Sequence, residues 1–172
     1  MKAVFLDFET TGLKSTVHAL LEVSVRVLDE KFGDTGIRYH SLIEPPVGAA
    51  AASDDYAMNM HRQSGLFEAA LYCQQTPEVV ERELCELLAP LGQGLVLAGN
   101  SVHFDRGFMT VHMPKLDKVF GHRMLDVSAL RLGIQFLTGS DPLTHEKKRV
   151  HRSEDDLDET VAELRSYLTH VV

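Results

Sequence analysis

No stretch of the sequence approaches the roughly eighteen apolar residues that a bilayer span requires, and Met1, Lys2 and Ala3 run straight into an apolar strand-like segment. The expectation is no membrane association and a cytoplasmic location. Cysteine is scarce: Cys73 and Cys85 are the only two, without a C-x-x-C pair, so neither a disulfide framework nor a cysteine zinc site is expected. A basic excess is also missing. Seventeen Lys plus Arg against twenty-five Asp plus Glu give a net charge of −8, which disfavours holding a long polyanion through phosphate contacts alone. A nucleic-acid enzyme of this charge would rely on metal ions and a short substrate. Repeats and low-complexity segments are absent. What remains, 172 residues of which 44% are apolar, fits one compact domain over residues 1–172.

The apolar patterning predicts a mixed α/β fold, a sheet flanked by helices. Residues 2–8, KAVFLDF, read as a central strand, 19–29, ALLEVSVRVLD, as its alternating neighbour, and 36–43, GIRYHSLI, as a third strand. The short link at Glu30 to Asp34, with Gly33, favours antiparallel pairing among these three. Thr76 before Pro77 opens a helix that carries Val80, Leu84, Leu87 and Leu88 and ends near Pro90. Residues 94–99 then return as a buried strand beside the first, a crossover that implies parallel pairing. The chain from Val102 onward reads as helical, and 153 to about 170 as a helix with Leu157, Val161, Leu164 and Leu168 on one face. Residues 45–53 and 138–150 read as loops, the second leading into the active site.

Asp7 and Glu9 are two apart on a strand, so both carboxylates project to one face and can share one or two cations. They sit in DFETTGL. Its five specified positions (Asp7, Glu9, Thr11, Gly12, Leu13) would co-occur by chance in roughly one of several thousand chains. This segment resembles the first motif of the DEDD exonucleases, whose fold is ribonuclease H-like. The resemblance implies two further carboxylates and, in one subgroup, a histidine. GNSVHFDRGFM supplies Asp105 at the start of a helix, and HRSEDDLDE supplies His151 and Asp156 with the DEDDh spacing. Taken alone, Asp156 also suits a capping box with Ser153 or the helix dipole; the family spacing selects it over Asp155. The implied centre is a metal cage of Asp7, Glu9, Asp105 and Asp156 holding two divalent ions, Mg²⁺ or Mn²⁺. Hard oxygen ligands suit these ions, and such a pair stabilises the attacking and leaving oxygens of an in-line displacement. His151, an imidazole of ordinary pKa about 6.5, suits the general base.

The likeness to oligoribonucleases covers nearly the whole chain, including HRQSGL at 61–66, AGNSVHFDRGFM at 98–109, HRMLDVSAL at 122–130 and the final DDLDETVAEL. By position it implies Leu13 as a wedge between bases, Tyr56 as a stacking ring, His61 lining the site, and Ser101, Arg123 and Ser128 as a cap on the 5′-phosphate of a short substrate. It also implies a homodimer. Two positions depart from that family: Thr10, where Met is usual, and His122, where a tyrosine commonly reaches across the dimer. The expected activity is 3′→5′ hydrolysis of short single-stranded RNA, with DNA also a possible substrate, to nucleoside 5′-monophosphates. The alternatives left open are a general single-strand DNA or RNA 3′→5′ exonuclease and a noncatalytic nucleic-acid-binding module.

Overall fold

The computed structural model describes residues 2–142 and 152–168. Along the chain these form β1 (Ala3–Thr10), β2 (Leu20–Leu28), β3 (Asp34–Leu42), α1 (Ala49–Ala52), α2 (Asp55–Gln63), α3 (Leu66–Leu71), α4 (Pro77–Leu88), β4 (Leu95–Gly99), α5 (His103–His112), α6 (Pro114–Asp117), β5 (Phe120–Asp126), α7 (Val127–Thr138) and α8 (Ser153–Leu168). The strands make a mixed sheet in the order β3-β2-β1-β4-β5. β1 and β2, and β2 and β3, pair antiparallel; β1 and β4, and β4 and β5, pair parallel. The central strand and the parallel return after α4 match the sequence pattern.

The two-residue period of β1 sorts its side chains between two cores. Val4, Leu6 and Phe8 pack with Val80, Leu84 and Leu88 of α4 and Phe108 and Met109 of α5. Ala3 and Phe5 pack on the opposite face with Leu157, Val161 and Leu164 of α8 and Val127 and Ile134 of α7. Each fully buried leucine contributes about 1.5–3 kcal/mol, so α8 is fastened to the sheet by its i, i+4, i+7 row. Asp7 and Glu9 continue the row of Ala3 and Phe5 and therefore face α8.

Sequence and structure differ in three places. The helical reading from Val102 onward fails after α6, where the chain forms β5. This edge strand has exposed His122, Arg123 and Met124, so it lacks the apolar alternation that marks a strand in sequence. The loop at 45–53 contains one helical turn, α1. β2 alternates in sequence but is buried at every position, including Glu22, Ser24 and Arg26, because both faces of this inner strand are covered. The helix end near residue 170, residues 143–150 of the expected loop, and His151 lie outside the described residues. No described helix is long and apolar enough to cross a membrane.

Candidate active site

The site forms where β1 outruns its parallel neighbour. β1 and β4 remain paired to Phe5 and Ala98; beyond that point the Phe8 N–H turns to a side chain, donating to Asp105 Oδ1 at 2.9 Å. Asp105 stands in the first turn of α5, just past the carboxyl end of β4, where open α/β sheets form crevices. Across this crevice the first turn of α8 brings in Asp156. One ligand oxygen from each of Asp7, Glu9 and Asp156 falls within 4.8 Å of the others. Asp105 stays outside that tight group, held by its bond to β1, yet its charge still acts on Asp7 and Glu9.

The carboxylates destabilise one another's charge. Burial, then Asp105, Glu9 and Asp156, push Asp7 well above the usual carboxylate range. Burial and the neighbouring Asp156 and Glu22 raise Glu9 to about 8. Burial also takes Asp105 up to about 7 despite the opposing Phe8 N–H. Like charges packed this closely retain protons until a cation replaces them. An all-oxygen donor set with this mutual repulsion fits a hard divalent ion.

Beside the cage, a cavity of about 280 Å³ is lined by Leu13, Tyr56, His61 and Phe104, together with Phe8 and Glu9. Its wall comes from a tightly bonded turn. The Thr11 N–H donates to the Ala19 carbonyl, the Thr11 carbonyl accepts from the Asp54 N–H, and Thr10 Oγ1 donates to the Gly12 carbonyl at 2.8 Å. Thr10 thus builds the turn with its hydroxyl, which accounts physically for its place in the motif. Gly12 is needed where it stands, since its φ is +153° and a Cβ there would lie 2.5 Å from the His18 ring. The turn leaves Leu13 78% exposed opposite Tyr56, which is 76% exposed. The Asp54 carboxylate caps α2, accepting from the Tyr56 and Ala57 N–H groups. His61 is buried, with Nε2 2.9 Å from the Thr10 carbonyl oxygen and 3.6 Å from Glu9 Oε2.

Ser101 and Ser128 also meet, their hydroxyls 3.5 Å apart. Ser101 adopts a left-handed conformation with φ 51°. Its N–H donates to Asp126 Oδ1, which also accepts from Ala129 at the start of α7. Asn100 ties the pair to α8, accepting from Ser128 and donating to Thr160. Arg123 is exposed on β5 and forms no ion pair with the described residues. Sequence reading missed Phe104 in the wall and Asp126 beneath the cap. Phe104 immediately precedes Asp105, a position that could have been noticed; Asp126 carries no distinguishing sequence signal.

Carboxylates from the end of one strand and the first turns of two helices, set beside an apolar cleft, define a metal-dependent phosphodiester hydrolase. Similarity to known proteins agrees. The RNase T exonuclease family matches residues 4–164, and the chain belongs to it. It is 31% identical to an oligoribonuclease of Photobacterium profundum, over 98% of this chain and 94% of that protein. It is 28% identical to an oligoribonuclease of Francisella tularensis, over 95% and 92%, and 29% identical to a probable oligoribonuclease of Schizosaccharomyces pombe, over 97% and 67%. Solved structures share the fold at low identity. Cell-death related nuclease 4 superposes with a TM-score of 0.69 at 12% identity, covering 99% of this chain and 64% of that one. A product-bound exonuclease I does so with a TM-score of 0.67 at 12% identity, covering 98% and 43%; this chain thus spans less than half of exonuclease I.

Proposed function

We propose that this chain is a 3′→5′ exoribonuclease that shortens small single-stranded RNA fragments, releasing nucleoside 5′-monophosphates in the cytoplasm, and that residues 1–172 act as one exonuclease domain. The observation that carries the reading is the convergence of Asp7, Glu9 and Asp156 beside the Leu13 and Tyr56 cleft. In this assignment Asp7, Glu9, Asp105 and Asp156 hold two divalent ions, Mg²⁺ or Mn²⁺. When bound, such ions stabilise negative charge on the reacting phosphate and lower the pKa of attacking water. His151 takes the proton from that water. A bond forms between the water oxygen and phosphorus, the P–O3′ bond breaks, and the departing O3′ takes a proton from solvent water to become the 3′-hydroxyl of the shortened strand.

The remaining residues position the substrate. Leu13 wedges against a base, Tyr56 stacks on one, and His61 and Phe104 close the wall; apolar and aromatic surfaces accept any base in this way. Ser101 and Ser128, with Arg123, receive the 5′-phosphate of a short strand. A homodimer is supported by the edge position of β5 and by Leu132, Phe136 and Leu137, which leave α7 an exposed apolar surface. One observation favours the general single-strand exonuclease instead. Ser101 and Arg123 are both exposed, and an open cap would admit a longer strand.

The test of the catalytic assignment is turnover of a 5′-labelled RNA dinucleotide with Mn²⁺ by the wild-type chain and by Asp156→Ala. The expected loss is at least about a hundred-fold, the equivalent of several kcal/mol of charge stabilisation, with little change in Tm. Near-normal turnover by the variant would remove Asp156 from the metal site.

A further inference from the structure

A carboxylate with no accessible surface in the middle of an apolar strand is unfavourable unless its charge is matched. Glu22, in LLEVSVRVL of β2, is such a group. Its oxygens accept from Arg152 Nε at 2.9 Å, Arg152 Nη2 at 2.6 Å, the Ser153 backbone N–H at 2.9 Å and His40 Nε2 at 2.8 Å. Three of these four bonds come from the two residues that follow His151 in sequence and open α8. Ser153 Oγ is further bonded to Ser24 Oγ at 2.7 Å, and Arg26 Nε to Asp158 Oδ1 at 2.5 Å. The α8-facing row of β2 is therefore a polar seam lying against the start of that helix.

The seam connects directly to the cage. Arg152 is held at both ends, its guanidinium on Glu22 and its backbone carbonyl accepting the Asp156 N–H at 3.0 Å. Glu22 also lies opposite Glu9 in the β1 and β2 register. A planar guanidinium on a carboxylate, joined by a backbone N–H on the same group, fixes direction as well as distance. A greasy contact would leave α8 free to slide or roll by a fraction of a turn.

We propose that Glu22, clamped by Arg152 and Ser153, is a positioning residue for the reaction. It sets the register of the segment from Arg152 to Asp156 against β1, so that the Asp156 carboxylate meets Asp7 and Glu9 at the crevice. Glu22 touches neither substrate nor metal. The inference rests on the proposed exonuclease reading, because it takes Asp156 as a group acting at the reacting atoms.

The test compares Glu22→Gln, Arg152→Ala and the double variant with the wild-type chain. Each is assayed on an RNA dinucleotide at saturating Mn²⁺, with rates expressed per folded molecule. Glu22→Gln keeps the volume of the side chain and removes its charge. The expected result is a fall in kcat of about ten- to hundred-fold, typical of residues that orient metal ligands, with KM within two-fold of wild type because Leu13 and Tyr56 stand on other elements. The double variant should be no slower than the worse single one. Added guanidinium ion should restore part of the kcat of Arg152→Ala, whose side chain is partly exposed. Wild-type kcat in both single variants, losses that multiply in the double variant, or a loss confined to KM would each overturn the proposal. Should Glu22→Gln not fold, full kcat in Arg152→Ala overturns it alone. An inactive wild-type chain would instead overturn the exonuclease reading itself, which separates the two failures.

Discussion

Glu9 on β1 and Asp156 on α8 face each other across the crevice, one carboxylate oxygen of each within 4.8 Å of the other. Two carboxylates this close repel each other unless a proton or a cation comes between them. Together with burial, this contact raises Glu9 to about 8, and Asp105 is raised to about 7. The site is thus built at a cost in charge repulsion that a bound cation relieves.

That cost should be visible in the metal-free protein. A carboxyl whose folded pKa lies above its unfolded value of about 4 favours folding fully below that value, and the contribution is lost as pH rises through the folded pKa. Between about pH 5 and 8, the window set by the unfolded value and the raised values of Asp105 and Glu9, the Tm of the chelator-treated protein should therefore fall. Saturating Mn²⁺ should flatten the decline, because the ion takes the place of the protons. Thermal scans at several pH values check this; a metal-free Tm that is level or rising across the window, or a slope unaffected by Mn²⁺, would contradict it.

Leu13 and Tyr56 are exposed and contribute little to the core, so their loss should register in substrate binding and not in folding. Stacking on one base is worth about 1–3 kcal/mol. Leu13→Ala and Tyr56→Ala should accordingly raise KM for a dinucleotide by about ten-fold, with Tm essentially unchanged. Steady-state kinetics and thermal scans on the same samples decide the matter. An unaltered KM in both variants would move the base pocket elsewhere.

If α7 provides the subunit contact, replacing Phe136, which is 89% exposed, by Glu should place a charge in an apolar interface and convert a dimer into monomers. Sedimentation velocity of wild type and Phe136→Glu measures this directly. A wild-type monomer, or a dimer unmoved by the substitution, would reject that surface.

Much of the centre was legible because its geometry is local. Asp7 and Glu9 share a strand face by the two-residue period alone, and Thr76 with Pro77 marks the start of α4. The apolar row of α8, Leu157, Val161 and Leu164, was also legible by its helical period, whereas Asp156 was singled out over Asp155 only by its spacing from His151. What escaped depends on long-range contacts. β5 is exposed along its middle and has no apolar alternation. Glu22 reads as the polar half of an alternating strand, and only the docking of α8 over it reveals a buried, fully bonded carboxylate. Phe104 becomes part of the cleft wall only when α5 packs beside the 10–18 turn.

The most direct measurement of substrate choice is a time course on 5′-labelled RNA of two, five and twenty nucleotides, with a matching DNA set and Asp156→Ala as control. A short-RNA exonuclease with a phosphate cap at Ser101 and Ser128 should cleave the dinucleotide fastest and lose rate steeply with length. Equal cleavage of every length, or of DNA and RNA alike, would contradict that account and establish a general single-strand exonuclease on the same metal site.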